Sequence, residues 1–574
     1  MAASREGTAM PPRWRYYAVL IGMAAMALAL AGRAAQLQLL DHAFLVDQAD
    51  ARHLRVTEIP AHRGTITDRS GEPLALSSPV QSVWANPKRL LAHADRLPEL
   101  AQVLDSSASA LRQRLSQRRD KEFVYLERHM MPERTSQVEA LDIPGLALER
   151  EHHRFYPAGE ITGHVLGFTN IDDHGQEGIE RAYNDWLSGA SGRKRVIQDQ
   201  LGRRIEEVEL LDAAEPGRDL ALSIDRELQY LAYRELKRAV TRREAASGSL
   251  IVLDARSGEV LAMVNQPSFN PNRRADLEAS RYRNRAVTDV FEPGSTLKPF
   301  TVAAALEEGG YERRHTIDTA PGSLRVQGKR ISDVRNYGTL DLRHILVKSS
   351  NVGAAKLALS LDRGALWRVL GRLGLGQRTA SSFPGEASGR LAGRPSKRPI
   401  ERATLAFGYG VSVTALQLAR SYAAIANEGM APTVTFLRNA KADRPSAERV
   451  LNADTARTVR SMLAEVVSAE GTGSRAAIPG YEVAGKTGTV KQLDAEDYSK
   501  ERYTALFAGM APAAEPRFVA VVVVNDPNDE AYYGGEVAAP VFRRVMRGAL
   551  RLYNVAPHGS AGQGELVMAD GGRG

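Results

Sequence analysis

Ser249-Leu-Ile-Val-Leu-Asp-Ala-Arg-Ser-Gly-Glu-Val-Leu-Ala-Met-Val264 is the stretch that decides the fold class. Two apolar runs flank the turn residues Arg256-Ser-Gly258, which predicts two strands joined by a tight turn. Tyr503–Met510 and Phe518–Asn525 are further strand candidates, and the valine-rich second run suits a buried central strand. Helical patterns fill most of the region 295–468. The sequence therefore predicts an α+β unit in which an antiparallel sheet is flanked by helices.

A mixed α/β unit precedes this one along the chain. Thr65-Ile-Thr67 alternates as a strand does, and Asp68-Arg-Ser-Gly71 is a turn signal. A chain of 574 residues is too long for a single compact domain. We divide it into a tail 1–15, an apolar segment 16–37, a connector 38–59, the mixed unit 60–218, the sheet-and-helix unit 219–555 and a Gly-rich disordered tail 556–574.

The segment from Tyr16 to Gly32 is strongly apolar and near the lower length limit for a membrane-spanning helix. Arg5, Arg13 and Arg15 precede it, so the positive-inside rule places the N-terminus in the cytoplasm and the remainder across the membrane. A cleaved signal peptide is the competing interpretation, but Ala31-Gly-Arg33 is a poor cleavage site. We expect an uncleaved single-pass anchor.

Composition narrows the classes of function. Cysteine is absent, which excludes disulfides, thiolate catalysis and Cys-ligated metals. The net charge is +8, but the basic residues are scattered among Glu and Asp rather than arranged in a stripe interleaved with aromatics. We therefore expect no nucleic-acid partner. An anionic cell wall or membrane surface accounts for the positive net charge at least as well.

Ser295 and Lys298 form an S-x-x-K pattern that directly follows Pro293-Gly294, a helix-start signal. On a helix the two side chains share one face, so the lysine can activate the serine if the lysine is neutral. The pattern alone is weak, since Ser191-Gly-Arg-Lys194 also matches it, although without a helix signal. The alternative without a catalytic role is a surface serine beside a solvated lysine.

Two further motifs follow in a fixed order, S-x-N at Ser349-Ser-Asn351 and K-T-G at Lys486-Thr-Gly-Thr489. Without a catalytic role, Ser349-Ser-Asn351 would be an N-cap cluster and Lys486-Thr-Gly-Thr489 would be a surface turn. In the functional interpretation Ser349 bridges the two lysines and Asn351 holds a substrate amide. Lys486 and Thr487 bind a carboxylate, Gly488 permits close approach, and the Thr489 N–H joins that of Ser295 in an oxyanion hole. Together they equip the chain for acyl transfer through a serine ester.

Other residues are less decisive. Tyr503, Tyr532 and Tyr533 could wall an active-site cleft or belong to an aromatic core. His152-His153 has no partner at metal-ligand spacing, so we predict no metal site.

With these residues in hand the chain resembles the class B penicillin-binding proteins, and more closely the septal peptidoglycan D,D-transpeptidases of proteobacteria. The likeness covers about residues 13 to 555 and rests on the three motifs above and on seven further signatures. Those signatures are Arg63-Gly-Thr-Ile-Thr-Asp-Arg-Ser-Gly71, Arg154-Phe-Tyr-Pro-Ala-Gly159, Gly163-His-Val-Leu-Gly-Phe168, Glu177-Gly-Ile-Glu180, Phe407-Gly-Tyr-Gly410, Gly471-Thr-Gly473 and Tyr532-Tyr-Gly-Gly535.

The resemblance implies a membrane anchor, a non-catalytic pedestal (60–218) and a transpeptidase domain (219–555). It implies that Ser295 is acylated by the D-Ala–D-Ala end of a peptidoglycan stem peptide, or by a β-lactam, and that no cofactor is needed. It also implies an inner-membrane protein with a periplasmic catalytic domain. Its partners would be a polytopic septal glycosyltransferase and other cell-division proteins.

Three alternatives stay open at this stage. An elongation-specific transpeptidase of the same class shares the catalytic motifs. A serine β-lactamase shares S-x-x-K and K-T-G, but normally lacks a pedestal. A β-lactam sensor or division scaffold would only be acylated, without turnover.

Overall fold

The computed structural model describes residues 13–41, 54–198, 204–273, 278–438, 447–492, 502–528 and 532–557. The predicted tail from 558 onward, most of the N-terminal tail and residues 42–53 of the connector lie outside these ranges. Arg13–Ala35 is an α-helix that continues into a π-helical turn, Gln36–Leu40. The segment Trp14–Leu40 has a mean hydropathy of 1.8 and no buried residue in its most apolar window, and it is long and apolar enough to cross a membrane.

The chain divides into two compact units. The first comprises residues up to 61 together with 79–152 and 190–215. Its core holds Leu90, Leu100, Leu111 and Leu115, which the short helices of the unit present inward at helical spacing. The helices of this unit beyond the N-terminal one are Pro87–Ala92, Leu97–Val103, Ala108–Ser116 and Pro132–Ala140, with a 3₁₀ turn at Ala94–Arg96. Its own strands are Leu54–Ile59, Val124–Met130, Gly192–Gln198 and Arg204–Asp212.

Two long strands, Pro73–Ala85 and Leu146–Phe155, run from one unit into the other. The second unit comprises 62–78, 153–189 and the residues from 216 onward. In it Arg63 and Arg154 both bind Glu180: Arg63 Nε donates to Oε2 at 2.8 Å and Arg154 Nε to Oε1 at 2.6 Å. All three side chains are buried. This ion cluster joins three separate segments of the chain, each from a signature identified in the sequence.

A five-stranded, wholly antiparallel sheet is the centre of the second unit. The strands of Ser247–Asp254 and Phe518–Asn525 alternate between two hydrophobic clusters, one on each face of the sheet. Because both faces are buried, the central runs 250–253 and 518–524 of these strands are apolar without a break. In spatial order the strands are Val260–Gln266, Ser247–Asp254, Phe518–Asn525, Tyr503–Ala511 and Ala484–Lys491.

Helices cover both faces of this sheet. Arg226–Arg242 and Gly534–Leu552 contribute to the cluster on one face, and Ala415–Ala426 contributes to the cluster on the other. Asp225 caps the first of these helices by accepting from Leu228 N at 3.0 Å. The remaining α-helices of the unit are Gly163–Leu166, Gly178–Ala182, Asn184–Ser188, Ala279–Tyr282, Arg285–Thr288, Lys298–Glu308, Leu342–Val347, Asn351–Ser360, Ala365–Arg372, Pro399–Leu405 and Ala453–Val466.

The predicted fold class, an antiparallel sheet flanked by helices after a mixed α/β unit and an apolar N-terminal helix, is confirmed. One detail differs from the prediction. The region 295–468 is interrupted by four short strands between Thr316 and Asp341. The short strands and 3₁₀ turns of the unit are Ile66–Thr67, Leu220–Ala221, Thr316–Asp318, Ser323–Val326, Lys329–Ser332, Thr339–Asp341, Met430–Ala431, Glu448–Arg449, Gly159–Ile161, Gly294–Leu297 and Ser474–Ala476.

Candidate active site

Ser295 lies in a 3₁₀ turn, Gly294–Leu297, that leads into the helix Lys298–Glu308. Gly294 has φ +54°, in the left-handed region that glycine adopts without strain. Tyr422 holds the turn in place, because its hydroxyl donates to Thr296 O at 2.8 Å. Ser295 itself is half-buried at the surface of this well-packed turn, as a nucleophile must be to meet a substrate.

Lys298 is the first residue of this helix, and its side chain is completely buried. Its Nζ donates to Ser349 O at 2.5 Å, to Asn351 Oδ1 at 2.8 Å and to Ser349 Oγ at 3.2 Å. Burial lowers the pKa of Lys298 well below its usual value, the charge of Lys486 lowers it further, and Asp333 opposes them. The amine that the sequence placed beside Ser295 is therefore in an environment that favours its neutral form.

Ser349 connects the two lysines. Its Oγ accepts from Lys486 Nζ at 3.0 Å as well as from Lys298 Nζ. Its φ is +57°, a conformation that non-glycine residues rarely adopt and that is often found at functional sites. The neighbouring Ser350, not Ser349, is the N-cap of the next helix, since its Oγ accepts from Gly353 N at 2.8 Å. The cap is therefore Ser350, and Ser349 stays available for the predicted bridge between the two lysines.

Lys486 lies fully buried in the edge strand Ala484–Lys491. Burial lowers its pKa to about 7. The next residue, Thr487, donates from Oγ1 to Thr472 Oγ1 at 3.0 Å. The strand thus presents a lysine and an oriented hydroxyl together, a pair suited to a carboxylate.

Gly488 and Thr489 bring this strand close to the Ser295 turn. A Cβ on Gly488 would lie 3.0 Å from Thr296 Cγ2, and one on Gly294 would lie 2.5 Å from Val490 Cγ2. Thr489 Oγ1 accepts from Gly534 N at 3.0 Å, which holds its side chain against the final helix. A glycine in the strand is what permits this approach.

The three candidate wall tyrosines form one stack. The rings of Tyr503 and Tyr532 are 4.2 Å apart at 19°, and those of Tyr532 and Tyr533 are 4.5 Å apart at 27°. Tyr533 remains 54% exposed and immediately precedes the helix that begins at Gly534. The tyrosines therefore form a ridge at the surface near Thr489 rather than part of a closed core.

Sequence reasoning missed two polar neighbours of the site. Asp333 Oδ2 accepts from Ser350 Oγ at 2.6 Å, and its Oδ1 accepts from Asn351 N at 2.5 Å. Nothing in the sequence around Asp333 signals this role. Thr472 lies in the Gly471-Thr-Gly473 signature, so the resemblance identified the residue but not its contact with Thr487.

The second S-x-x-K match, Ser191 to Lys194, does not lie on a helix. Lys194 belongs to the strand Gly192–Gln198, so it does not share a helical face with Ser191. Within the described ranges, no group of three His, Asp or Glu residues could hold a metal ion.

This chain is similar to known proteins over nearly its whole length. The penicillin-binding protein transpeptidase domain model matches residues 248–547, and the penicillin-binding protein dimerisation domain model matches 58–222. The chain is 44% identical over 551 residues to the peptidoglycan D,D-transpeptidase FtsI of Escherichia coli, covering 95% of this chain and 92% of that protein. The chain belongs to the class B penicillin-binding proteins.

Solved structures of this family agree with the fold. Penicillin-binding protein 3 of Mycobacterium tuberculosis in complex with aztreonam is 28% identical with a TM-score of 0.68, over 87% of this chain and 98% of that one. The transpeptidase domain of Burkholderia pseudomallei penicillin-binding protein 3 is 42% identical with a TM-score of 0.54, over 59% of this chain and 97% of that one. The boundaries drawn from the sequence, such as 219 for the start of the catalytic domain, stay predictions.

Proposed function

We propose that this penicillin-binding protein is a septal peptidoglycan D,D-transpeptidase with Ser295 as its nucleophile. The observation that carries the assignment is the buried lysine pair, in which Lys298 and Lys486 share Ser349 Oγ beside the Ser295 turn. A β-lactamase or a non-turnover sensor would share part of this site. The likeness to FtsI over nearly the whole chain favours the septal transpeptidase.

Neutral Lys298 takes the proton of Ser295 Oγ as the oxygen attacks the carbonyl carbon between the two terminal D-Ala residues. The bond from serine oxygen to carbonyl carbon forms, the amide C–N bond breaks, and the departing D-Ala nitrogen receives a proton. Ser349 can relay that proton, because its hydroxyl touches both lysine amines. A lysine can serve as base only when neutral, and burial beside a second lysine provides that condition.

The residues around the nucleophile position the substrate. Lys486 and Thr487 hold the terminal carboxylate, and Asn351 holds a backbone amide through the Nδ2 that now donates to Ser332 O at 3.3 Å. The backbone N–H groups of Ser295 and Thr489 stabilise the oxyanion. Removing one such donor typically reduces the rate about 10²–10³-fold.

β-Lactams acylate the same serine because they present a reactive amide and a carboxylate at similar spacing. The ridge of Tyr503, Tyr532 and Tyr533 provides an aromatic wall for the side chain of such a ligand. No cofactor takes part in these steps.

The N-terminal helix anchors the enzyme in the bacterial inner membrane, with its N-terminus in the cytoplasm and the catalytic domain in the periplasm. Its exposed, apolar surface and the preceding arginines support this topology. A polytopic septal glycosyltransferase would supply the glycan strands, and other cell-division proteins would contact the pedestal.

Replacement of the nucleophile tests the assignment. In Ser295→Ala we expect covalent labelling by a fluorescent penicillin to disappear while circular dichroism and the melting temperature stay unchanged. Lys194→Ala, at the accidental motif, is the matched control and should label like the wild type. Labelling of the folded Ser295→Ala protein would refute the assignment. Filamentation on depletion, rather than rounding of cells, would support the septal role over the elongation role.

A further inference from the structure

The segment Phe407–Gly410 contacts both elements that supply the proposed oxyanion hole. One N–H group of that hole belongs to Ser295 in the turn Gly294–Leu297, and the other belongs to Thr489 in the strand Ala484–Lys491. Both groups must point at the same oxygen, so the placement of the turn relative to the strand decides how well they stabilise its charge. A residue that links the two elements therefore affects the chemical step.

On the side of the nucleophile, the segment is joined to the turn by backbone groups. Gly294 N donates to Gly408 O at 3.3 Å, and a Cβ on Gly408 would lie 2.2 Å from Gly294 O. Gly410 N donates to Glu292 Oε1 at 2.8 Å. Two positions of the segment thus hold the chain just before Ser295.

The segment is itself fixed by the structure around it. Tyr409 N donates to Thr404 O at 3.1 Å, near the end of the helix Pro399–Leu405. Thr301 Oγ1 donates to Ala406 O at 2.7 Å in the buried interior. The segment is therefore a firm support for the groups that its side chains contact.

On the side of the strand, the segment is joined by the side chain of Tyr409. The backbone of Lys491 forms a hydrogen bond with the Tyr409 hydroxyl. Burial raises the pKa of Tyr409, the nearby charge of Glu292 raises it further, and this hydrogen bond lowers it. A hydrogen bond lowers the pKa of a phenol when it is donated to the phenol oxygen, so the donor is the N–H of Lys491.

The N–H of Lys491 faces the same side of the strand as the N–H of Thr489. Along an antiparallel strand the N–H groups point alternately to its two sides. Gln492 N donates to Arg502 O at 2.8 Å, on the side where Tyr503–Ala511 pairs with the strand. The N–H groups of Lys491 and Thr489 therefore both point to the opposite side, which is the edge of the sheet.

We propose that Tyr409 is a positioning residue that keeps the Thr489 N–H aligned with the Ser295 N–H at the oxyanion. Its hydroxyl holds the edge of the strand two residues from Thr489, and its neighbours Gly408 and Gly410 hold the turn. This inference rests on the proposed transpeptidase function. It concerns the negative charge that develops at the reacting carbonyl and not the binding of a substrate.

The alignment of the two donors has a chemical signature. N–H groups stabilise an oxyanion strongly, whereas sulfur is a weak hydrogen-bond acceptor. An ester substrate therefore gains more from aligned donors than the matching thionoester, in which sulfur replaces the carbonyl oxygen. The ratio of the two acylation rate constants measures the alignment, because a general loss of active protein lowers both constants equally.

The test uses the full-length protein in detergent with an acyl-D-alanyl ester and its matching thionoester as donors. Second-order acylation rate constants are measured for the wild type and two variants. Tyr409→Phe keeps the ring and removes the hydroxyl that accepts from Lys491. Tyr311→Phe is the matched control, because Tyr311 is also half-buried and its hydroxyl donates to Ser360 Oγ at 2.6 Å rather than to a residue of the site.

We expect Tyr409→Phe to lower the ester rate constant about three- to ten-fold, less than the loss that follows complete removal of a donor. The thionoester constant should fall less, so the ratio falls, whereas Tyr311→Phe should keep the wild-type ratio. An unchanged ratio in Tyr409→Phe, including equal losses for both substrates, would overturn the inference while leaving the transpeptidase assignment intact. Failure of the ester to acylate the wild type would overturn both.

Glu292 provides a second test, which decides the inference if Tyr409→Phe does not fold. Glu292→Gln keeps a side-chain oxygen that can accept from Gly410 N, and Glu292→Ala removes it. The ratio of ester to thionoester rate constants should fall in Glu292→Ala and stay closer to the wild-type value in Glu292→Gln. Equal ratios in these two variants would overturn the inference, because the segment would then have no part in holding the turn.

Discussion

At the scale of single residues, the central feature is that two lysine amines share one serine hydroxyl in a buried space. Lys298 and Lys486 both contact Ser349 Oγ, and both are inaccessible to water. Two positive charges at this distance without solvent are unfavourable, so the pair titrates at lower pH than two free lysines would. Burial and the neighbouring lysine thus favour the neutral form of the amine that we propose activates Ser295.

The charges around Lys298 predict opposite effects of two substitutions on the pH dependence of penicillin acylation. Acylation needs neutral Lys298, so its second-order rate constant rises with pH through the pKa of that residue. Lys486→Met removes a charge that lowers this pKa, and the rising limb should move to higher pH. Asp333→Asn removes a charge that raises it, and the limb should move to lower pH. Stopped-flow acylation from pH 5 to 10 measures both shifts, and movement in the same direction would contradict the electrostatic account.

The candidate catalytic side chains could be named from the sequence, because their motifs are short and local. Ser295 and Lys298 are three residues apart on one turn, so no tertiary information was needed to pair them. The structure does bring Ser349, Asn351 and Lys486 together, but only the order of the motifs had suggested it. Asp333 could not be found, since its contact with Asn351 comes from a loop whose path depends on the packing of the whole unit.

At the scale of secondary-structure elements, the turn that carries Ser295 depends on a glycine from another segment. Gly408 has φ +88°, and a Cβ there would lie 2.2 Å from Gly294 O, a backbone atom that cannot move without displacing the nucleophile. Close packing therefore explains the glycine at position 408 of the Phe407–Gly410 signature.

Gly408→Ala should lower both stability and penicillin labelling. The clash and the positive φ together should reduce the free energy of unfolding by more than about 1 kcal/mol. Gly371→Ala is the matched control, because Gly371 lies in the helix Ala365–Arg372 with open space around it and should gain up to about 1 kcal/mol. Urea unfolding and labelling of both variants make the comparison. Normal labelling by a stable Gly408→Ala protein would show that the contact is not needed.

Element prediction succeeded where burial imposes a simple pattern. Phe518–Asn525 is apolar in all but its last residue because helices cover both faces of its sheet, and its predicted bounds match the structure. The short strands between Thr316 and Asp341 were missed because they are largely exposed, form separate two-stranded ribbons and are too short for alternation to be decisive. Their local sequence does not distinguish a strand from a polar helix.

At the scale of the whole molecule, the buried Glu180 with its two arginines is the strongest link between distant segments of the second unit. Its partners Arg63 and Arg154 come from chain positions 117 and 26 residues away. Burying three charged groups is tolerable only because each is paired and hydrogen-bonded. Sequence signatures located all three residues, but only the fold shows that they meet.

Glu180→Gln should destabilise the protein by about 3–5 kcal/mol, because it removes the carboxylate that pairs directly with two buried guanidinium groups. Glu209→Gln is the control: its ion pair with Arg195 is exposed and should contribute no more than about 1 kcal/mol. Chemical unfolding of the two variants beside the wild type gives both values. Equal stability of Glu180→Gln and the control would contradict the assigned role of the cluster.

The central claim is that one serine, Ser295, carries the acyl group. Mass spectrometry of proteolysed, penicillin-labelled wild-type protein tests it most directly. We predict that the mass of the acyl group is found on the peptide that contains Phe291–Phe300 and that fragmentation places it on Ser295. Modification of any other serine, including Ser191 or Ser349, would contradict the account.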